Sequence, residues 1–337
     1  TYIRGPIPYQ IGNLTNLRYL NVSQSNIYGP LPKFIGSLNN LRHLDLSHSL
    51  FSGVIPQELE KLFKLQHLDL GYNFLTSSRN FEWLFNLHDL VYLDISYVNI
   101  DHPGIWVSFI QRIPSISVMQ LNYCNLSSPF PTSSNFSTSI SALHLQGNHI
   151  NSSIFNWLSH LHGSLEVLDL SYNMLAGRIP HSFGHMAAIT HLNLGHNLLN
   201  GPIPVSFSLL TDLTYLDLSA NHLNGVIPKS LHNLSSLKVA DFSSNNLTGN
   251  LEDLLLGPLA LLEELFVSEN QLTGSLPDIT QVSSLRKFQA SSNELNGYLP
   301  TAFEHYSALV FLDLSNNHLR GSLPDFTGFS SLELLYL

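Results

Sequence analysis

The side chains that could do acid–base, nucleophilic or metal chemistry are 17 histidines, 24 aspartates and glutamates and one cysteine, Cys124. Many of the acids recur at one position of a repeating frame, namely Asp45, Asp69, Asp94, Asp169, Asp217, Asp241 and Asp313. A catalytic site needs groups that converge on one reacting atom, whereas these aspartates would lie in a row. We therefore expect no enzyme activity, no catalytic residue and no cofactor.

Two histidine pairs have spacings that a metal site could use. His181 and His185 could share one face of a helix, and His160 and His162 are close in sequence, but neither pair has a third ligand in register. Cys124 replaces an asparagine of the frame, so we expect a buried small apolar side chain rather than a nucleophile. The sequence predicts no metal site, and a single cysteine excludes an internal disulfide.

The composition narrows the class of protein. The 337 residues are 44% apolar and only 11% charged, which excludes an intrinsically disordered chain. The formal charge of -10 argues against nucleic acid as a partner. The longest nearly continuous apolar stretch, residues 254–262, is too short to cross a bilayer, so we expect no membrane contact by this segment.

The positions of all these residues follow an internal repeat. The frame Leu-x-x-Leu-x-Leu-x-x-Asn begins at residues 17, 41, 65, 90, 116, 140, 165, 189, 213, 237, 262, 285, 309 and 332, with a spacing of 23 to 26. Leucines that alternate with polar residues predict a short strand with one buried face. The asparagine is expected to turn inward, where its amide satisfies backbone groups of neighbouring coils.

The full unit, Leu-x-x-Leu-x-Leu-x-x-Asn-x-Leu-x-Gly-x-Ile-Pro, resembles the plant extracellular leucine-rich repeats. Its Gly-x-Ile/Leu-Pro element recurs at Gly29, Gly53, Gly177, Gly201, Gly225, Gly274, Gly297 and Gly321. The resemblance implies an α/β solenoid, a right-handed superhelix with a concave parallel β-sheet. We expect residues 1–337 to form a single domain of about 13 complete repeats plus partial repeats at both ends. The paired cysteines of the family's caps are missing, so we expect a fragment of a longer ectodomain.

Departures from the repeat cluster in the N-terminal half. The asparagine position holds Ser25, Ser49, Val98 and Cys124, and the convex motif fails between Thr76 and Phe155. Residues 80–87 and 98–115 resemble the matching stretches of plant receptor-like proteins of the ethylene-inducing-xylanase-receptor type. The alternative is that longer convex helices replaced the proline turns without any role in ligand binding.

Tyrosines and histidines are concentrated at two exposed positions of the frame, where stacking of the coils would align them in two columns. Such rings offer flat apolar area with a polar tip, which suits protein recognition, although strand aromatics can also simply pack against their neighbours. Beyond the ninth repeat Ser244, Glu269, Ser292 and Asn316 take over, so we expect the ligand surface in the first two thirds. The candidate ligand-binding residues are His43, His48, His67, Tyr72, Tyr92, Tyr97, Tyr123, Tyr172, His191, His196 and Tyr215.

Seven Asn-x-Ser/Thr sequons predict a chain of the secretory pathway. A glycan on Asn21 would stand on the exposed strand row and obstruct the first strands, so ligand contacts should begin beyond it. The predicted glycosylation sites are Asn13, Asn21, Asn125, Asn135, Asn151, Asn233 and Asn246.

These features, together with the family resemblance, predict an extracellular ligand-recognition domain of a plant cell-surface receptor, either a receptor-like protein or a receptor-like kinase. The implied role is immune perception of a secreted protein or peptide at the extracellular face of the plasma membrane, with a co-receptor kinase as a further partner. The alternative is a secreted inhibitor of cell-wall-degrading glycanases that resembles polygalacturonase-inhibiting proteins. If the concave histidines, with an ordinary pKa of about 6.5, contact an acidic ligand, affinity should rise as the pH falls from about 7 to about 5.5.

Overall fold

The computed structural model describes residues 4–77, 81–100, 104–127, 139–161, 163–255, 259–276, 282–299, 308–323 and 330–337. Their contacts group into two compact units, Thr1–Leu165 and Glu166–Leu337. Each unit is built from the same three-part repeat, which consists of a strand of a main sheet, a strand of a second sheet and a return segment.

The main sheet takes one strand from each predicted frame, two residues after the frame begins. The strands pair in parallel and in register, and the central residue of each triplet between the first and last strands, usually leucine, is buried in the core. In the first unit they are Tyr19–Asn21, His43–Asp45, His67–Asp69, Tyr92–Asp94, Val118–Gln120 and Ala142–His144; in the second, Val167–Asp169, His191–Asn193, Tyr215–Asp217, Val239–Asp241, Glu264–Phe266, Lys287–Gln289, Phe311–Asp313 and Leu334–Tyr336. The predicted parallel sheet is confirmed.

The second sheet is formed by the segments around the Gly-x-Ile/Leu-Pro elements. Its strands in the first unit are Arg4–Gly5, Asn26–Pro30, Leu50–Val54 and Phe74–Thr76. In the second unit a five-stranded sheet contains Ala176–Arg178, Leu198–Gly201, His222–Val226, Asn246–Asn250 and Gln271–Thr273, and a separate pair contains Asn296–Tyr298 and His318–Arg320.

The return segments are mostly short 3₁₀ helices. Six of them follow a proline in extended conformation, which fits the fixed φ of that residue. The 3₁₀ helices are Tyr9–Asn13, Lys33–Ser37, Gln57–Lys61, Glu82–Asn86, His181–His185, Val205–Leu209 and Lys229–Asn233, and the α-helices are Ile105–Arg112, Ile154–Leu158 and Leu251–Leu255.

In the irregular stretch between Thr76 and Phe155 the described part of the second sheet is reduced to isolated bridges, and helices stand where proline turns stand elsewhere. Two of the α-helices, Ile105–Arg112 and Ile154–Leu158, lie within it or at its end, and the main-sheet strands continue past them. Their tryptophans, Trp106 and Trp157, are buried with ring centroids 5.3 Å apart. Ile105–Arg112, with eight residues, is the longer helix expected from the failed proline motif, whereas Ile154–Leu158 has five residues, as the 3₁₀ helices do.

Buried asparagines connect successive repeats, as predicted. The Asn73 Nδ2 donates to the carbonyls of Leu46, Leu70 and Gly71, and its Oδ1 accepts a hydrogen bond from the Phe51 backbone N–H. Residues that replace asparagine keep part of this hydrogen-bond pattern. Ser25 donates to the Val22 carbonyl of its own repeat, and Ser49 donates both to the Ser47 carbonyl and to the Val22 carbonyl of the preceding repeat. The buried Cys124 directs its Sγ to the Ile95 carbonyl oxygen at 3.2 Å.

Candidate ligand-recognition face

The first aromatic column runs across four neighbouring strands of the first unit. Tyr19, His43, His67 and Tyr92 occupy the same strand position, and because the parallel strands are in register their rings stack. Successive ring centroids lie 4.1, 4.0 and 4.1 Å apart with interplanar angles of 13° or less. The column ends at Val118, which pairs with Tyr92 on the next strand.

The second aromatic column lies just beyond the strand ends. His48 stacks on Tyr72 at 4.2 Å, Tyr72 tilts by 43° against Tyr97 at 4.9 Å, and Tyr97 stacks on Tyr123 at 4.8 Å. All four residues have positive φ, between 49° and 67°. A bulky side chain rarely adopts this conformation, which is held here because backbone N–H groups of the column donate to carbonyls of the next repeat.

Glycine ends this second column. Gly147 occupies the next equivalent position, with φ of 67°, and the Tyr123 ring lies directly over it. A Cβ at this position would clash with Tyr123. Gly147 therefore gives the last ring of the column the space in which it lies.

Among the described residues of the second unit, the four candidate rings form two stacked pairs. Tyr172 stacks on His196 with centroids 4.0 Å apart, and His191 lies 6.0 Å from Tyr215. The next positions in the two columns are Val239 and Ala220. The structure thus gathers seven of the eleven candidate residues, with Tyr19 as an eighth ring, on the first unit. We call these eight rings and the strand residues between them the aromatic face.

A row of carboxylates lies between the two columns along the chain. Asp45, Asp69 and Asp94 are register partners on adjacent strands. The Oδ1 of Asp69 accepts the Gly71 backbone N–H at 3.0 Å, and that of Asp94 accepts the Ser96 N–H at 2.7 Å. Each aspartate therefore closes the turn after its own strand, which explains why the repeat uses acids here without any catalysis.

Crowding changes the protonation of these carboxylates. Desolvation, followed by the negative charge of Asp94, raises the pKa of Asp69 from 3.8 to about 7. Burial also raises the pKa of Asp94, against hydrogen bonds from Ser96 that lower it. Near neutral pH Asp69 is therefore only partly ionised.

The stacked histidines of the first column have lowered pKa values, in contrast to the raised values of the carboxylates. Burial between two rings, and then the neighbouring His43, lower the pKa of His67 from 6.5 to about 4. Burial also lowers the pKa of His43, despite the nearby charge of Asp45. The His67 imidazole therefore stays neutral at pH 5.5. The prediction that the concave histidines gain charge there and attract an acidic ligand is wrong for His67.

The other candidates for chemistry form no reactive site within the described part of the chain. Burial raises the pKa of the Cys124 thiol to about 12, so it is not a thiolate nucleophile. His181 and His185 are the ends of one 3₁₀ helix, whose three residues per turn separate them around the axis. The prediction that they share one helix face is therefore wrong. His162 lies outside the described residues. Among those described, no group of three or more His, Cys, Asp or Glu side chains could hold a metal ion.

Six of the seven predicted glycosylation sites fall on described residues, and all six are exposed. Asn135 lies outside the described residues. Asn21 stands at the end of the carboxylate row, where its Nδ2 donates to Asp45 Oδ2 at 2.8 Å. A glycan there would border the aromatic face, as predicted from its strand position.

Comparisons with protein families match the repeat directly. A family model described as Leucine rich repeat matches residues 15–75, 138–199 and 163–223, and a second model of the same description matches 308–329. Together they span about half of the chain. The chain belongs to the leucine-rich repeat proteins. The predicted resemblance to leucine-rich repeats and the α/β solenoid fold that it implies are thereby confirmed.

Two curated leucine-rich repeat relatives come from tomato, Solanum lycopersicum. The chain is 35% identical to Receptor-like protein EIX1 over 65% of its own length and 20% of the relative's. It is 35% identical to Receptor-like protein EIX2 over 57% of its length and 17% of the relative's. The chain therefore spans about a fifth of the curated relatives it matches. The predicted resemblance to receptor-like proteins of this type is confirmed, and receptor-like proteins are recognition molecules rather than enzymes.

Solved leucine-rich repeat structures give the same picture. The PEPR1–AtPEP1 crystal structure is 31% identical, with a TM-score of 0.76 over 99% of this chain and 50% of that chain. The plant peptide hormone receptor RGFR1 in complex with RGF2 is 26% identical, with a TM-score of 0.75 over 99% of this chain and 57% of that chain. No helix in the described residues of the present chain has the length and hydropathy to cross a membrane.

The sequence pattern identified the rings of the aromatic face but not the character of the acids between them. The regular recurrence of Asp45, Asp69 and Asp94 indicated only a repeat residue. The signal that could have drawn attention to them is that three consecutive repeats place an acid in register, which forces carboxylates together at the strand spacing of about 4.8 Å.

Proposed function

We propose that this chain recognises a protein or peptide ligand outside the plant cell, as part of the ectodomain of a receptor-like protein or receptor-like kinase. The resemblance to EIX1 and EIX2, both receptor-like proteins, supports a receptor. The resemblance to RGFR1, a peptide hormone receptor in complex with RGF2, supports a peptide or protein ligand. Immune perception, rather than development, is the role that we assign to the full-length protein.

The aromatic face is the observation that carries this proposal. Tyr72 is 38% and Tyr97 46% exposed, and both have positive φ, a conformation that glycine or asparagine adopts at lower cost. Equivalent positions hold Gly147 and Asn316, so the fold does not require tyrosine there. Exposed tyrosines in a strained conformation are easier to explain by recognition than by stability.

A displayed library of random peptides, selected on the purified chain, tests this role. Binders should lose affinity when Tyr72 and Tyr97 are both changed to alanine. The matched control is Tyr298→Ala, which removes a tyrosine that is 72% exposed on the second sheet of the other unit. Selected peptides that bind the double variant and the control equally well would remove the aromatic face from the proposal.

The location and partners of the full-length protein form the second part of the proposal. We expect the receptor at the plasma membrane with this segment outside, and we expect a co-receptor kinase to join it when ligand is bound. A fluorescent fusion checks the location in plasmolysed cells. Co-immunoprecipitation with and without a selected peptide checks the co-receptor, and association that is identical in both conditions would contradict ligand-dependent recruitment.

A further inference from the structure

The aromatic face combines flat rings with a row of carboxylates. Asp69 and Asp94 are flanked by Tyr92 in the first column and by Tyr72 and Tyr97 in the second. The charges of both aspartates act on Tyr72 and on Tyr92, which places the four groups in one electrostatic neighbourhood. A ligand that covers these tyrosines therefore meets the half-buried Asp69 and lies within the electric field of the buried Asp94.

Among the described residues, the basic groups whose charge lowers the pKa of Asp94 are two histidines, His144 and His48. The ion pairs of the described ranges join other side chains, and the hydrogen bonds of Asp69 and Asp94 come from neutral N–H and O–H groups. Asp94 is only 4% exposed, so its charge is poorly solvated. A cation from outside would offset the burial of both carboxylates.

Arginines precede only two of the first four main-sheet strands, and these are not the strands of Asp69 and Asp94. Arg18 and Arg42 immediately precede the first two strands of the main sheet. At the same frame position before the next two strands stand Gln66 and Val91, which are uncharged. The strands of Asp69 and Asp94 thus have no arginine or lysine at this frame position, whereas the two preceding strands have one arginine each.

We propose that the aromatic face of the first unit binds an extended peptide segment of the ligand and selects a basic side chain, arginine or lysine, over Asp69 and Asp94. This inference rests on the proposed function and adds the chemical class of the ligand. An arginine guanidinium suits both the carboxylates and the rings of this face, because it can pair with a carboxylate and stack on a tyrosine ring. An acidic segment would instead place like charges over a poorly solvated carboxylate.

The peptide selection described above tests the proposal through the composition of the binders. We expect arginine and lysine to be enriched in peptides selected on the wild-type chain, and the enrichment to disappear on Asp69→Asn/Asp94→Asn. Each amide keeps an Oδ1 acceptor for its turn. The matched control is Asp313→Asn in the second unit, where the aspartate closes the same turn on Ser315; the enrichment should persist on this variant.

A selected peptide then gives the magnitude. Replacing its arginine by citrulline, the neutral analogue, should weaken binding by about tenfold, as expected for loss of one charge-assisted pair. Asp69→Asn/Asp94→Asn should weaken the arginine peptide by a similar factor and leave the citrulline peptide unchanged.

The outcomes separate the inference from the proposed function. Tyrosine-dependent binders without basic residues, or basic enrichment that persists on the double aspartate variant, would overturn the charge selection and leave ligand recognition in place. Failure to select any binder that depends on Tyr72 and Tyr97 would overturn both.

Discussion

Removing a single buried asparagine should measure how much the ladder between repeats stabilises the fold. Asn221 is 5% exposed, and its Nδ2 donates to the carbonyls of Leu194, Leu218 and Ser219 at 3.0 to 3.2 Å. Its Oδ1 accepts the Leu199 backbone N–H at 3.0 Å. Asn221→Ala leaves that N–H without its partner, which costs about 1–3 kcal/mol, and loses three further bonds with a net value near 1 kcal/mol or less each. We expect a loss of roughly 3 kcal/mol in the free energy of unfolding.

Urea unfolding followed by far-UV circular dichroism measures that free energy. Circular dichroism is chosen over tryptophan fluorescence because the three tryptophans all lie in the other unit. Hydrogen exchange followed by mass spectrometry should show faster exchange in peptides that contain Leu199. The matched control is Asn224→Ala, an exposed asparagine of the second sheet, which should stay within about 0.5 kcal/mol of the wild type. If Asn221→Ala unfolds at the wild-type urea midpoint and Leu199 keeps its protection, the ladder does not stabilise the fold.

Three further outcomes follow from the geometry. Folding raises the pKa of Asp69 from 3.8 to about 7. The contribution of the protonated carboxyl to the free energy of unfolding is therefore fully present below about pH 4 and is lost as the pH rises through 7. Asp69→Asn should therefore exceed the wild type in stability at pH 8 but not at pH 4, and equal differences at both pH values would contradict the raised pKa. Cys124 should resist a thiol reagent such as dithiobisnitrobenzoate at pH 8 until urea unfolds the chain, and rapid labelling of the folded protein would refute its burial. Gly147→Ala should lower the thermal midpoint and shift the ultraviolet absorption of Tyr123, because the added Cβ meets that ring, and an unchanged spectrum would contradict the close packing.

The charge state of the aromatic face changes how pH should affect the receptor. The sequence suggested histidines that become cationic in an acidic cell wall, whereas His67 stays neutral and Asp69 takes up a proton as the pH falls through about 7. At these two residues acidification therefore removes negative charge and adds no positive charge. A basic ligand should bind more weakly at pH 5.5 than at pH 7.5 for this reason, the opposite of the trend first expected for an acidic ligand.

Much of the fold follows from the sequence because leucine-rich repeats are local. Each frame begins a strand two residues later, and its leucines alternate with exposed residues at the period of a strand. Since parallel strands stack in register, a residue that recurs in consecutive frames must form a column. The rings of the aromatic face could therefore be predicted from frame positions alone, and so could the buried asparagine ladder.

The tertiary structure decided what those columns are chemically. The 3₁₀ form of His181–His185 separates two histidines that an α-helix would align, and Gly147 ends a column because the Tyr123 ring needs its space. The pKa values of His67 and Asp69 depend on rings and carboxylates that belong to the preceding and following repeats, more than 20 residues away in the chain. The sequence by itself determined which residues occupy each column, because register is set by the repeat. Their protonation and conformation were decided only by packing, because desolvation and steric contact depend on neighbours in space.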